Sequence, residues 1–264
     1  MKILVVGDPH GVLPRKNLPK DIDLILITGD LGKADLARKT YLGKNEEDLT
    51  EVRKDSSLQK RMWQEIYFSS IKGVGYFSKI ALTYSILGNV GTATDSEIEK
   101  EEKKLQIKLP YLRSGLKKIK NFCLVRNGIR NINGVRIGFL DYFLDTCWVR
   151  EFYRENKKMM RGAKKETEKA KNILKWFNKN KIDILLCHQP PYGVLDKVSG
   201  KSAPEHWKGK HAGSKVILEY VKKYKPKYVF CGHIHEGKGK KKLGKTNIIN
   251  TGCCGNYFVV DVKA

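Results

Sequence analysis

Seven polar residues stand where apolar runs of the chain stop: Asp8, His10, Asp30, Asn89, His188, His233 and His235. Carboxylate, imidazole and amide are the donor types suited to two divalent transition-metal ions. The spacing adds to this. Asp8 and His10 flank Pro9, so a tight turn lets both side chains face one ion, and His233-Ile234-His235 repeats the device. Singly, each signal is weak. A Gly-Asp after a strand is usually a turn, and a lone histidine is usually a satisfied core residue. Such pieces at the ends of five separate runs point to one metal centre assembled from distant parts of the chain.

The elements that must position these residues are short and rich in β-branched residues. Runs at 2–6, 22–28, 80–87, 183–187 and 227–231 end at Gly7-Asp8, Gly29-Asp30, Gly88-Asn89, His188 and Gly232-His233. Near-continuous apolar runs of this length predict strands of sheets covered on both faces. In open α/β sheets, sites form beyond the carboxyl ends of strands, and glycine permits the sharp turns needed there. Runs at 135–143 and 256–262 alternate and predict half-buried strands; 246–250 predicts another.

Apolar residues at helical spacing predict helices at 57–72 and at 160–180. Thr94 and Glu97 form a capping-box signature opening a charged helix at 95–108, and Ser214 caps one at 214–224, before Pro226. The order is β-α-β in both halves, without repeats or low-complexity linkers. This predicts a single α/β domain over residues 1–264, with a helical insertion at about 31–79.

The bulk properties narrow the class. At 264 residues the chain is long enough to bury a core without staples. A composition of 41% hydrophobic and 30% charged residues excludes a disordered chain. Lys and Arg total 52 against 28 Asp and Glu, a formal net charge of +24, which favours anionic partners such as nucleotides, nucleic acids or phosphorylated metabolites. The alternative is a lysine-rich solvated surface. No stretch approaches a membrane span and no signal peptide is evident, so the expectation is a cytoplasmic protein with no membrane partner. Oligomeric state is not readable. Cys187 and Cys231 sit in apolar runs and read as buried thiols.

The order Asp8-x-His10, Gly29-Asp30, Gly88-Asn89, His188, Gly232-His233-x-His235 resembles the calcineurin-like metallophosphoesterase superfamily, over nearly the whole chain. His188-Gln189-Pro190-Pro191-Tyr192-Gly193, His211-Ala212-Gly213-Ser214 and Cys231-Gly232-His233-Ile234-His235-Glu236 are similar to its small archaeal-type branch. The resemblance implies a two-sheet β-sandwich flanked by helices, in four αββα layers, and two divalent ions drawn from Mn, Fe, Zn or Ni. It implies that Asp8, His10, Asp30 and His235 hold one ion and Asp30, Asn89, His188 and His233 the other, with Asp30 bridging. Two cations roughly 3.5–4 Å apart clamp a phosphate and lower the pKa of a bridging water, whose hydroxide attacks phosphorus in line. Asn89 completes the shell without adding negative charge. The implied activity is phosphoester hydrolysis, a phosphodiesterase on small or nucleotide-like substrates. The rival readings are a nuclease, favoured by the net charge, and a metal-binding interaction module with weakened turnover.

One departure bears on chemistry. Most of the superfamily has Gly-Asn-His followed by an acid; here the run is Gly88-Asn89-Val90-Gly91. The histidine that would protonate the leaving oxygen is Val90, and general acid help is worth about 10²–10⁴-fold. Leaving groups of low pKa, aryl or activated phosphates, are therefore expected to be favoured over alkyl ones, with His211 the candidate substitute acid.

Other signals are weaker. Residues 239–246, GKKKLGKT, match a nucleotide P-loop by letter, but a P-loop needs a strand before it and a helix after it. A basic hairpin is the better expectation. A single zinc held by His233, His235, Cys253 and Cys254 would leave five of the seven residues unexplained. Tyr192 and Trp207 are candidates for the pocket rim, and Asp196 and Glu236 for partners of the ligands.

Overall fold

The structure, a computed structural model, describes residues 1–14, 18–41, 46–153, 156–200 and 203–263. Two mixed sheets stack face to face with helices on both outer faces. The first half of the chain builds strands β1 (Lys2–Val6), β2 (Leu24–Ile27), β3 (Thr83–Ser85) and β4 (Phe122–Leu124), with helices α1 (Asp35–Tyr41), α2 (Glu46–Lys54), α3 (Ser56–Ser78), α4 (Asp95–Leu105) and α5 (Leu112–Lys117). The second half supplies β5 (Asn127–Ile132), β6 (Val135–Leu140), β7 (Ile184–Cys187), β8 (Tyr228–Cys231), β9 (Gly239–Leu243) and β10 (Thr246–Asn250). Its helices are α6 (Thr146–Phe152), α7 (Lys157–Lys179) and α8 (Lys215–Tyr224), and β11 (Tyr257–Asp261) returns to the first sheet. The strand orders are β11-β1-β2-β3-β4 and β5-β6-β7-β8-β10-β9. The inner strands of both sheets run parallel, and β11, β5 and β9 pair antiparallel.

The pleat explains why the runs are apolar throughout. Along β1, Ile3 and Val5 face the other sheet, packing in one cluster with Ile137, Phe139, Leu186 and Phe230. Leu4 and Val6 face outward, in a cluster with Val74 and Phe77 of α3 and Leu112 and Leu116 of α5. In the second sheet, Leu185, Cys187, Val229 and Cys231 meet Leu174 and Phe177 of α7 and Ile217 and Val221 of α8. With side chains alternating by residue, both faces of every inner strand are buried. This is the αββα sandwich, and the parallel strands bring their carboxyl ends to one rim.

The strands at 2–6 and 246–250 match expectation, and those at 22–28, 183–187, 227–231 and 256–262 are shortened by one or two residues at an end. The expected strand 80–87 is only Thr83–Ser85, and 135–143 stops at Leu140. At the start of the first, Ile80 and Ala81 still donate to the Phe77 carbonyl at the end of α3; past its end, the Leu87 and Gly88 N–H groups donate to the carboxylate of Asp141, the residue that follows β6. The helix expected at 57–72 runs to Ser78, because Val74, between its two glycines, and Phe77, beyond them, are buried. That at 95–108 ends at Leu105, where Gln106 turns left-handed. That at 160–180 starts three residues early, capped by Asn156. The Thr94 capping box and the Ser214 cap are both formed.

The stretch 31–79 holds α1, α2 and α3, with residues 42–45 outside the described residues. Among the elements not expected, the β5–β6 hairpin turns on Asn133-Gly134, both at positive φ. Residues 239–250 form the basic hairpin rather than a P-loop, with Lys240, Lys241 and Lys242 along an edge strand. No helix of the described residues is long and apolar enough to cross a membrane.

Candidate metal centre

The rim brings all seven residues into one closed ring of contacts. Asp8, just past β1, is fully buried. Its Oδ1 accepts from the Thr28 hydroxyl (2.7 Å) and its Oδ2 from the His233 backbone N–H (2.6 Å). His235 Nε2 lies 3.4 Å from that Oδ2 and 3.3 Å from His10 Nε2. His10 Nε2 is 3.7 Å from Asp30 Oδ2, and His188 Nε2 is 3.7 Å from the same oxygen. His188 Nε2 is also 2.7 Å from Asn89 Oδ1, which lies 3.0 Å from His233 Nδ1. Asp30 Oδ2 thus faces imidazoles on both sides, the position expected of a shared ligand. Its Oδ1 is anchored by the Asn89 and Val90 N–H groups, both at 2.8 Å.

Backbone geometry shows what it takes to aim these groups. His10, Asp30 and His233 all sit at positive φ (45°, 45° and 64°), a conformation that costs a non-glycine residue about 1–3 kcal/mol and concentrates at functional sites. Neighbouring glycines clear the approach: a Cβ on Gly88 would strike Asp30 Oδ1, and one on Gly232 would strike Asp8 Oδ1.

The donor set fits cations. Two three-residue groups, Asp8-His10-His235 and Asp8-Asp30-His188, have ligand atoms all within 4.8 Å of one another. Asp8 and Asp30 are buried carboxylates beside each other, and a buried charge needs a partner of opposite sign. His188 Nδ1 lies 2.8 Å from the Thr28 carbonyl oxygen, which can only accept, so Nδ1 carries a proton. Nε2 then directs its lone pair at the oxygens of Asn89 and Asp30, an arrangement satisfied by a cation between them or by a second ring proton.

The titration directions reflect the same crowding. Burial opposes charge on Asp8, but His188, His235 and His10 outweigh it and hold its carboxyl well below the usual range. Burial pushes the His10 and His233 rings down. Burial also opposes charge on His188, yet Asp30 and Asp8 overcome it and hold that ring up.

The surroundings separate into expected and unexpected groups. His211 does not join the ring. Among the described residues no hydrogen bond or ion pair links it to the seven; its Nδ1 donates to Asp196 Oδ1 at 2.7 Å, and its ring lies 5.3 Å from that of Tyr192. Asp196, fully buried, also accepts from the Gly193 and Gly213 N–H groups, so it holds the loop and His211 rather than a ligand. Trp207 packs with Trp148 and Phe152. The carboxylate of Glu236 lies against Gly200. Cys253 and Cys254 have sulfurs 2.8 Å apart, but the three-residue ligand groups among the described residues contain no cysteine.

The groups not anticipated are Arg38 of α1, whose Nη2 is 3.3 Å from His10 Nε2, and Tyr142 and Trp148, whose rings lie 5.6 and 5.7 Å from that of His233. Beside Tyr142 opens a cleft of about 560 Å³ that also contains Gly88, Thr92, Arg113 and Arg126. A strand end leading into Asp-aromatic (Asp141-Tyr142) was the available signal for Tyr142; nothing local marks Arg38 or Arg113.

An αββα sandwich with carboxylate, imidazole and amide groups converging beyond its parallel strand ends defines a class of fold with a metal-ligand rim. A family model described as calcineurin-like phosphoesterase matches residues 1–237, and the chain belongs to that family. A UPF0046 protein of Caenorhabditis elegans is 39% identical over 83 residues, 31% of this chain and 18% of that protein. Metallophosphoesterase domain-containing protein 1 of Homo sapiens is 35% identical over 74 residues, 28% of this chain and 21% of that protein. The chain thus matches only about a fifth of the length of either relative. One solved crystal structure superposes with a TM-score of 0.53 at 17% identity, covering 95% of this chain and 90% of that one, a likeness of fold.

Proposed function

We propose that the chain is a dinuclear metal-dependent phosphodiesterase acting on small or nucleotide-like substrates. The observation that carries the reading is Asp30 Oδ2 facing His10 on one side and His188 on the other, each at 3.7 Å. Asp8, His10, Asp30 and His235 would hold one divalent ion, and Asp30, Asn89, His188 and His233 the other. Such a pair supplies a water activated near neutral pH and positive charge against the phosphoryl oxygens.

The chain's own groups do the rest. Thr28 fixes both Asp8, through its hydroxyl, and His188, through its carbonyl. Arg38, beside His10, adds a cation facing an anionic substrate. Tyr142 and Trp148 wall the His233 side with aromatic surface that suits an aryl or base group. Val90 offers no proton to a leaving oxygen, so leaving groups that depart as anions are preferred. His211 is the remaining acid candidate: its Nδ1 donates to Asp196, which orients the ring.

The test is a panel of phosphomonoesters, aryl diesters and 2′,3′- and 3′,5′-cyclic nucleotides, run on metal-stripped protein reloaded separately with Mn, Ni, Zn, Fe and Mg. Diester hydrolysis by the reloaded wild type, absent in His188→Ala, is expected; a reloaded wild type inert on every ester would leave the interaction-module reading. The net charge of +24 favours the nuclease reading. Strong competition by DNA against a nitrophenyl diester, falling steeply with salt, would replace the small-substrate proposal with it.

A further inference from the structure

The cleft beside Tyr142 holds two guanidinium groups with unfilled donors. Arg113, on α5, donates through Nη2 to the Thr92 carbonyl, which ties it to the loop that carries Asn89 and Val90. Its Nε is buried and has no hydrogen-bond partner among the described residues. Arg126 uses Nε on Asp141 at 2.7 Å, and no partner for its Nη groups is found among the described residues. Arg113 and Arg126 line the same cleft, and burial and the like charge of Arg126 both push the Arg113 guanidinium down from its ordinary value.

The acids of the cleft are already occupied. Asp141 accepts from Arg126 and from the Leu87, Gly88 and Tyr142 N–H groups; Glu97 accepts from Thr94, and Glu166 from the Leu144 N–H. Two guanidiniums with spare donors lining one cleft, whose carboxylates already have hydrogen-bond partners, are complementary to a phosphate.

Position then decides which phosphate. Gly88 and Tyr142 are shared by the cleft and the wall of the metal centre, and the loop past Asn89 that bounds it carries Val90 where a proton donor would stand. The cleft therefore lies on the leaving-group side. We infer that Arg113 and Arg126 bind a second phosphate adjoining the one attacked, so that the substrate is a phosphoric anhydride, a nucleotide-like diphosphate. This rests on the hydrolase reading above.

Water oxygen bonds to phosphorus, the bridging P–O bond breaks, and its electron pair leaves with the second phosphate. One water proton is released to solvent in the attack, and the other, left on the newly formed phosphate, is lost to solvent at neutral pH because its pKa is about 6. A phosphate with second pKa about 6 departs as an anion at neutral pH, whereas an alkoxide must be protonated. The absence of an acid at Val90 and the presence of two arginines are then the same adaptation.

Two measurements test this. The first is calorimetric binding of inorganic pyrophosphate to metal-stripped protein. Arg113→Gln and Arg126→Gln are each expected to weaken it at least about tenfold, with Arg113→Lys retaining part of the affinity. Unchanged binding in both Gln variants would overturn the site, whatever the activity. The second compares kcat/KM of Mn-loaded protein on a dinucleoside diphosphate and on bis(4-nitrophenyl) phosphate. Arg113→Gln is expected to lose at least about tenfold more on the anhydride than on the ester. Equal losses on both would overturn the anhydride assignment. A loaded wild type that hydrolyses neither would instead sink the hydrolase reading, leaving the pyrophosphate titration to report on the cleft.

Discussion

On one side of the site, Asp8, Asp30, His188 and His233 lie one to three residues beyond β1, β2, β7 and β8; backbone groups of neighbouring strand ends hold Asp8, Asp30 and His188, and the Asn89 side chain meets the His233 ring. On the other side, Arg38, Arg113, Tyr142 and Trp148 come from helices and from the chain leaving β6, and they meet the site through long side chains. The first group is fixed by sheet geometry and cannot move without breaking the sandwich. The second is set by what the helices happen to present. Under the proposed function, the first side would supply the metal chemistry and the second the choice of substrate.

That contrast has graded consequences. Asp30→Asn is expected to remove at least about 10³-fold from kcat/KM, well above the 10–100-fold of an outer partner. It should also abolish one bound metal per chain by elemental analysis; retained activity would break the assignment of a shared ligand. Thr28→Val removes the hydroxyl that holds Asp8 and keeps the carbonyl that holds His188. It is expected to weaken metal affinity about 10–100-fold in a competition titration; no change would mean that Asp8 needs no orienting partner.

On the variable side, Val90→His is expected to raise the rate on alkyl diesters about tenfold more than on nitrophenyl diesters, since acid help matters only for poor leaving groups. Equal effects on both would count against the leaving-group account. The smallest effect is expected for His211→Ala, a loss of about threefold on alkyl esters and little on nitrophenyl esters. An unchanged rate on the alkyl ester would remove His211 from the mechanism.

The same contrast explains what could be read from the chain alone. The seven ring residues were legible because all lie within four residues of the end of an apolar run, with Gly7, Pro9, Gly29, Gly88 and Gly232 marking the turns. The four layers were legible for a related reason: runs such as Leu24–Ile27, apolar at every position, must be covered on both faces. The β5–β6 hairpin was missed although Asn133-Gly134 is a strong turn signal, because its outer strand, Asn127–Ile132, is mostly polar. The chain just past β3 is held by Asp141, a tertiary interaction with no local trace. Arg38 and Arg113 were illegible for the same reason. In a chain with 52 Lys and Arg, nothing in the neighbouring letters says which few meet the site.

The most direct test is anomalous X-ray diffraction from crystals soaked in Mn²⁺. Two peaks per chain are expected about 3.5–4 Å apart, with a carboxylate oxygen of Asp30 bonded to both ions and His10 and His188 on opposite sides. A single peak, or an ion held by Cys253 and Cys254 away from Asp30, would contradict the account.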